Sequence, residues 1–201
     1  MKIHKLSLTA LIAVFAIAVS CTKTTDYGTE VINANWTFAL GDFDGAQNAD
    51  FDDSQWQKIG LPHSFAIPYF MSRDFYVGYG WYRKKINLSA NDLKNRLFIE
   101  FDGVFQEAEI FVNGKPSGSH TGGYTGFSID ITENAVAGEN LVAVRVNNIW
   151  NPKVAPRAGE HNFNGGIYRT VRLAKKNPTH IAWCGLQITT PGLKETEGKS
   201  A

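Results

Sequence analysis

The densest group of side chains suited to binding a ligand lies in residues 157–166, with the sequence RAGEHNFNGG. Its guanidinium, carboxylate, imidazole and amide groups belong to Arg157, Glu160, His161, Asn162 and Asn164. Carboxylates and amides form paired hydrogen bonds with sugar hydroxyls, and the glycines let the backbone approach a ligand closely. The segment therefore predicts a carbohydrate-binding loop. The competing interpretation is a loop whose polar residues only stabilise turns.

Aromatic residues form a second candidate for ligand contact. Residues 65–79 are a long stretch without strong periodicity, and a loop of that length is unusual unless it is functional. Tyr76 and Tyr79 flank Gly78 in this stretch, and an aromatic ring can stack on the apolar face of a sugar. We predict that both tyrosines contact substrate. The alternative is that they contact another domain.

No group of residues predicts catalysis. Hydrolysis of a glycoside needs two carboxylates flanking the scissile bond, about 5–5.5 Å apart in retaining enzymes. The nearest candidates are Glu100, Glu107 and Glu109, and their places in alternating segments favour a solvated sheet face. Neither a Ser-His-Asp nor a Cys-His arrangement stands out. We therefore predict no catalytic residue.

Composition argues against several other functions. The net charge is +1, with 20 Lys and Arg against 19 Asp and Glu and no basic tract, so nothing indicates a nucleic-acid partner. The two cysteines are far apart and the five histidines are scattered, which gives no metal-ligand spacing. The acids of residues 51–54 lack the spacing of an EF-hand loop and fit turn chemistry better. We predict neither a cofactor nor a metal.

Alternating apolar residues predict an all-β fold. Residues 97–101 and 108–112 alternate at period two around a bend at Asp102 and Gly103, which predicts a hairpin pair over residues 96–113. Further strands are predicted at residues 35–40, 56–59, 81–88, 117–120, 127–131, 141–147, 167–173 and 180–190. The Asn113–Gly114 pair predicts a tight turn, because both residues tolerate a positive φ. About eight to ten antiparallel strands predict a jelly-roll β-sandwich.

Five single residues have predicted structural roles. Trp81 and Tyr82 start an alternating strand, so we expect Trp81 in the core and Tyr82 facing outward. His63 follows a proline in a bend and is expected to form a structural hydrogen bond. Arg169 is expected to form an ion pair with an acid on a neighbouring strand. Cys184 lies among apolar residues and is expected to be a buried, inert thiol.

The N-terminus predicts export. Residues 6–19 are apolar apart from Ser7 and Thr9, too short for the ~20 residues that span a bilayer but suited to a signal peptide. The following residues, up to Cys21, resemble a bacterial lipobox, in which the cysteine carries lipid. We expect a signal peptide over residues 1–20, a lipidated polar tether over residues 21–30, and a membrane-anchored lipoprotein of the bacterial periplasm or cell surface. A plain signal peptide is the alternative.

Three segments in order carry a family resemblance: GWYRKKINL at 80–88, LFIEFDGVFQEAEIFVNG at 97–114 and GGIYRTVRL at 165–173. Together they resemble the N-terminal sugar-binding domain of glycoside hydrolase family 2, most of all that of β-galactosidases. The resemblance covers roughly residues 31–188. It implies a galactose-binding-domain-like jelly roll over residues 31–190, with Glu160 in the place of a sugar- and cation-contacting aspartate.

The resemblance also implies what the rest of such an enzyme does. In this family, both catalytic glutamates belong to a (β/α)₈ barrel, which follows an immunoglobulin-like domain. Residues 191–201 are expected to begin the linker to that domain, so the chain resembles a truncated part of a glycosidase that does not act alone. Its expected partners are a β-galactoside-like carbohydrate, the missing C-terminal domains and, through the lipid, a membrane. The alternative is a stand-alone, lipid-anchored carbohydrate-binding module.

Overall fold

The computed structural model of the protein describes residues 27–65, 76–155 and 165–190. These residues form ten β-strands and a single short 3-10 turn, Asp92–Lys94. The strands are β1 (Gly28–Val31), β2 (Trp36–Leu40), β3 (Gln57–Ile59), β4 (Tyr79–Leu88), β5 (Arg96–Phe101), β6 (Glu107–Val112), β7 (Lys115–Thr121), β8 (Phe127–Asp130), β9 (Gly138–Asn147) and β10 (Val171–Lys176).

Two antiparallel sheets form the sandwich. The four-stranded sheet has the order β1-β10-β5-β8, and the six-stranded sheet has the order β3-β2-β4-β9-β6-β7. From β7 to β10 the chain changes sheet at every step, so consecutive strands face each other across the core. The predicted jelly-roll sandwich is confirmed. Within the described ranges, no helix is long and apolar enough to cross a membrane.

The core lies between the inner faces of the two sheets. Trp36 and Tyr82 from the six-stranded sheet, and Phe101 from the four-stranded sheet, have no exposed surface. Each large apolar side chain buried in this way contributes about 1.5–3 kcal/mol relative to its exposed state. This continuous core holds the two sheets together and fixes the loops at their ends.

A second apolar cluster covers part of the outer face of the six-stranded sheet. Trp81 on β4 and Phe111 on β6 stack with ring centroids 5.8 Å apart. Phe43, Phe51 and Trp56 of the β2–β3 loop pack against this cluster. Trp81 is buried as predicted, but on the outer face, where this loop covers it. Tyr82, predicted to face outward, is buried in the core between the two sheets.

Acids of the β2–β3 loop, residues 41–55, bind protein groups. Asp53 forms an ion pair with the buried Arg83 at 2.7 Å, and Asp52 accepts a hydrogen bond from the backbone N–H of Ser54 at 2.9 Å. The bond that Asp52 accepts is an Asx-type bond, which is common in turns. Asp52 and Asp53, whose spacing differs from that of an EF-hand loop, therefore both have partners within the protein.

The hairpin predicted over residues 96–113 is wrong. β5 and β6 lie in different sheets, and the connection between them crosses the end of the core, where Val104 is fully buried. Alternation shows which face of a strand is buried, but it does not identify the neighbouring strand. The turn predicted at Asn113 and Gly114 is confirmed: it joins β6 to β7, with φ values of 52° and 80°.

The four-stranded sheet includes an N-terminal strand that overlaps the predicted tether. Gly28–Val31 forms β1, which pairs antiparallel with β10 at the edge of the four-stranded sheet. All four residues are exposed, so no apolar alternation marks the strand in the sequence. Backbone hydrogen bonds to β10 define it instead.

The final strand predicted over residues 180–190 is absent, since this segment has no regular structure. Ile181, Leu186 and Ile188 are 69%, 70% and 82% exposed, so these apolar side chains are not buried although their pattern predicts it. The prediction that Cys184 is buried is also wrong, because Cys184 lies in this segment and is exposed. The segment still contacts the sandwich, with His180 edge-on to Phe98 at 5.3 Å.

Candidate functional site at one end of the sandwich

The predicted binding residues lie outside the described residues, but both ends of their segment are described. They are Arg157, Glu160, His161, Asn162 and Asn164. The segment leaves β9 after Asn147, directly opposite Tyr79 at the start of β4. It returns at Gly165, whose carbonyl accepts a hydrogen bond from the N–H of Phe65 at 3.2 Å. The loop therefore begins and ends at one end of the sandwich.

Asn148 joins the two long loops at that end. Its side-chain Nδ2 donates to the carbonyl of Tyr76 at 2.7 Å, and its Oδ1 accepts from the N–H of Gly78 at 2.9 Å. Its own N–H donates to the carbonyl of Gly78 at 3.2 Å. Asn148 is only 1% exposed, so these bonds are shielded from water. Sequence reasoning missed this residue, because its partners lie about 70 positions earlier.

Gly165 and Gly166 fix the other end of the predicted binding loop. Gly166 exchanges backbone hydrogen bonds with Phe105 at 2.9 and 3.0 Å, and the carbonyl of Ile167 accepts from the N–H of His63 at 2.8 Å. The glycines have φ values of 58° and 103°, a region that L-residues rarely adopt. Three segments of the chain thus meet where the predicted binding loop returns to the sheet.

His63 has the structural hydrogen bond predicted for it. Its Nδ1 lies 2.9 Å from the hydroxyl of Tyr82, and its ring packs on Phe38 with centroids 4.4 Å apart. Burial lowers the pKa of His63 and raises the pKa of Tyr82, because both charged forms would lose solvation. The Tyr82 hydroxyl also accepts from the N–H of Ile167 at 3.4 Å. The neutral pair thus bonds to Ile167, near the point where the predicted binding loop returns to the sheet.

Tyr76 and Tyr79 lie close in sequence but contact different parts of the protein. Tyr76 packs edge-on against Phe65 at 6.0 Å, and its hydroxyl donates to the carbonyl of Tyr79 at 2.9 Å. The ring of Tyr79 lies under the guanidinium of Arg145, 4.0 Å from the ring centroid. Each ring thus has a protein partner, and both remain partly exposed. Their contact with substrate stays a prediction.

The three glutamates considered for catalysis have separate partners. Glu107 accepts hydrogen bonds from Asn151 at 2.8 Å and Asn147 at 3.0 Å. Glu109 pairs with Arg145 at 3.1 Å. Glu100 is only 6% exposed, which corrects its predicted place on a solvated face. It is buried because Lys176 forms an ion pair with it at 2.6 Å and so offsets the cost of removing its charge from water.

The ion pair predicted for Arg169 is wrong. Arg169 precedes β10 and, within the described parts of the chain, no acid lies within ion-pair distance of it. Its guanidinium lies over the ring of Tyr168 instead, 5.6 Å from the centroid. Arg172, inside the strand, forms the pair with Asp102 at 2.5 Å. The prediction placed the start of the closing strand four residues too early.

Asp102, Tyr168 and Arg169 border a shallow cleft at the same end of the sandwich. It has a volume of about 470 Å³. Pro62, Asp102, Gly126, Tyr168, Arg169 and Thr170 line it. The hydroxyl of Tyr168 donates to the carbonyl of Gly123 at 2.6 Å, which holds the β7–β8 loop against the closing segment. Among the described residues, no group of three or more His, Cys, Asp or Glu side chains is arranged to hold a metal.

Comparison with known proteins identifies this arrangement. The model of the sugar-binding domain of glycosyl hydrolases family 2 matches residues 45–177. A putative β-glucuronidase of Formosa agariphila is 37% identical over 176 residues, covering 85% of this chain and 21% of that protein. The β-galactosidase BoGH2A of Bacteroides ovatus is 36% identical over 175 residues, covering 82% of this chain and 20% of that protein.

Solved structures agree with these matches. The crystal structure of a Bacteroides uniformis β-glucuronidase superposes with a TM-score of 0.70 at 37% identity, and the match covers 74% of this chain and 18% of that one. A putative β-galactosidase of Bacteroides fragilis superposes with a TM-score of 0.67 at 30% identity. The chain spans about a fifth of the length of the curated relatives it matches.

Proposed function

The chain belongs to the family of sugar-binding domains of family 2 glycosyl hydrolases, and from this we propose that it is the accessory domain of an exported, β-galactosidase-like glycosidase. In this role the loops at one end of the sandwich border the substrate pocket. A catalytic domain elsewhere in a larger protein supplies the general acid and the nucleophile for hydrolysis of the O-glycosidic bond. The chain itself binds and positions sugar and does not cleave it.

The observation that carries this proposal is the joining of two loops at one end of the sandwich. Asn148 holds the end of the 65–79 loop to the start of the 148–164 loop, through bonds of 2.7 and 2.9 Å. Gly165 and Phe65 join the other ends of the same loops. The described ends of the two loops therefore lie together at this end of the sandwich, and we place the side chains that contact sugar, including Glu160 and Tyr76, on these loops. Such an arrangement suits a pocket wall built from polar groups and aromatic rings.

We favour a neutral galactoside as the substrate. Relatives of this chain include proteins named β-galactosidase and proteins named β-glucuronidase. A carboxylate such as that of Glu160 accepts hydrogen bonds from sugar hydroxyls but repels the carboxylate of a uronic acid. The charge of this residue is therefore the feature that favours galactose.

Sugar titration by isothermal calorimetry tests the function. We expect the full 201-residue chain to bind galactose weakly, because half a pocket leaves much of the ligand in water, and to bind glucuronate less tightly. Glu160→Ala is expected to weaken galactose binding by about tenfold, the typical effect of removing a charge-assisted hydrogen bond. The matched control is Glu133→Ala, an exposed glutamate on the β8–β9 connection. Equal affinities of the two variants for galactose would contradict the proposal.

Export and lipid anchoring are a further part of the proposal. They are supported by the apolar segment 6–19 followed by Cys21 in a lipobox-like setting. Labelling of the expressed chain with a radioactive fatty acid tests them, with Cys21→Ser as the comparison. Label that persists in Cys21→Ser would remove the anchor and leave the sugar-binding role standing.

A further inference from the structure

The outer face of the six-stranded sheet has a polar half beside the aromatic cluster. The β2–β3 loop covers the other half with its aromatic cluster. Strand register places the side chains of this face in two rows across β4, β9, β6 and β7. The first row is Tyr79, Asn147, Glu107 and Thr121, and the second is Trp81, Arg145, Glu109 and Ser119. Directly opposed residues share a face, so the exposed members of these rows form one surface, the polar sheet face.

The polar sheet face contains a concavity of about 160 Å³. That equals the volume of about five water molecules, room for a single sugar ring. Its walls include Glu107, Glu109, Asn147 and Ser119, all of them carried by strands rather than by loops. Strand-borne side chains keep their spacing, which favours recognition of a rigid ligand.

Side chains in the concavity have hydrogen-bonding capacity left for a ligand. Each oxygen of Glu107 accepts one amide hydrogen bond, from Asn147 or Asn151, and a carboxylate has about four acceptor positions. Only Oε2 of Glu109 is engaged by Arg145. Ser119 and Thr121 are exposed, and their hydroxyls both donate and accept. The surface therefore offers acceptors for sugar hydroxyls, held in place by neighbouring amides.

The charge of this surface selects against acidic ligands. Asp42, Glu107 and Glu109 contribute three carboxylates around one guanidinium, that of Arg145. A hydrogen bond from Arg145 lowers the pKa of Asp42, so that carboxyl stays ionised near neutral pH. Burial lowers the pKa of His120, which keeps its imidazole neutral. A ligand with its own carboxylate would be repelled, whereas a neutral polyhydroxyl ligand would not.

An exposed tryptophan, Trp150, directly precedes Asn151, which bonds to Glu107 in the wall of the concavity. Trp150 is 55% exposed, and the two residues that flank it are fixed against the start of β6. The carbonyl of Ile149 accepts from Nε2 of the buried Gln106, and Asn151 donates to Glu107. An exposed aromatic ring can provide a stacking surface for a pyranose.

We propose that the polar sheet face binds a neutral pyranose unit of an oligosaccharide, in the concavity formed by the strand residues Glu107, Glu109 and Ser119. The proposal rests on the sugar-binding role proposed above and extends it along the sheet. A substrate chain longer than one sugar would then contact the domain at two places, the sandwich end and this outer face.

Affinity electrophoresis of the full chain tests this site, in gels that contain a soluble β-galactan or a polyuronate. We expect retardation by the galactan and none by the polyuronate. Glu107→Gln and Thr121→Val keep side-chain shape and strand propensity, and each is expected to weaken galactan binding by about fivefold to tenfold. The matched control is Glu139→Gln at the far end of β9, where an exposed pair with Lys85 contributes little. Thermal unfolding of each variant checks that the fold is intact.

The outcomes separate this proposal from the function on which it rests. Galactan affinity unchanged in folded Glu107→Gln and Thr121→Val, or equal retardation by polyuronate, would overturn the sheet-face site. If only Glu160→Ala weakens galactan binding, sugar binds at the sandwich end alone, and the accessory role stands without the second site. If neither galactose nor galactan binds, both proposals fail.

Discussion

Replacing Arg83 with methionine is expected to lower the free energy of unfolding by about 2–4 kcal/mol, since it removes a buried guanidinium that three groups of the β2–β3 loop use as their partner. Arg83 is 3% exposed, and its guanidinium bonds to Asp53 at 2.7 Å and to the carbonyls of Asn48 and Phe51 at 2.8 and 3.1 Å. It also lies over the rings of Phe51 and Trp56. One side chain thus holds the β2–β3 loop against the sheet.

Urea unfolding of Arg83→Met, followed by tryptophan fluorescence, measures this effect. Lys85→Met is the matched control, because Lys85 lies on the same strand and face but its pair with Glu139 is exposed, and we expect a loss below about 1 kcal/mol. Adding Asp53→Asn to Arg83→Met should restore part of the loss, because the unpaired carboxylate is then removed. A loss in Arg83→Met no larger than in Lys85→Met would contradict the loop-clamping role.

Replacing Gly166 with alanine is expected to destabilise the protein by about 2–4 kcal/mol, since backbone strain and steric overlap both contribute. Gly166 has a φ of 103°, and an added Cβ would lie 3.0 Å from the His63 carbonyl oxygen and 2.5 Å from the Tyr82 hydroxyl. Neither neighbour is free to move, because the Tyr82 hydroxyl is bound to His63 and lies in the core. The end of the predicted binding loop must shift instead.

Gly138→Ala provides the comparison that separates strain from overlap. Gly138 has a similar φ of 94°, and nothing lies within 4 Å of its added Cβ. We expect a loss of about 1 kcal/mol there, from backbone strain alone. Gly166→Ala should also weaken galactose binding, whereas Gly138→Ala should not, because Gly138 lies at the far end of β9. Equal losses of stability in the two variants would show that the base of the binding loop is not tightly packed.

Strands with one buried face were predictable from the sequence. In β6, Ala108, Ile110 and Val112 face the core and alternate with outward residues, and this pattern is visible without a structure. β1 was not predictable, because all its residues are exposed and only backbone bonds to β10 define it. The strand predicted over residues 180–190 was wrong for the opposite reason: an apolar pattern is present there, but the segment pairs with no strand.

The sequence indicates which side chains the candidate site would use, but not which residues hold its loops in place. Polar and aromatic residues in two irregular stretches indicate the loops, because residues of these types suit contact with a sugar. Asn148 holds those loops together through partners at Tyr76 and Gly78, about 70 positions away in the sequence. Arg145 meets Asp42 from more than 100 positions away. Contacts at such separations depend on which strands become neighbours, and alternation does not specify that.

A glycosidase assay of the 201-residue chain tests the central claim most directly, namely that this domain binds sugar and leaves cleavage to another domain. Purified chain is incubated with chromogenic β-galactoside and β-glucuronide, and release of the chromophore is followed over time. We expect no release above that of a buffer blank at any chain concentration, while galactose binds in calorimetry. Chromophore release that rises in proportion to the chain, and that persists through further purification, would contradict the account.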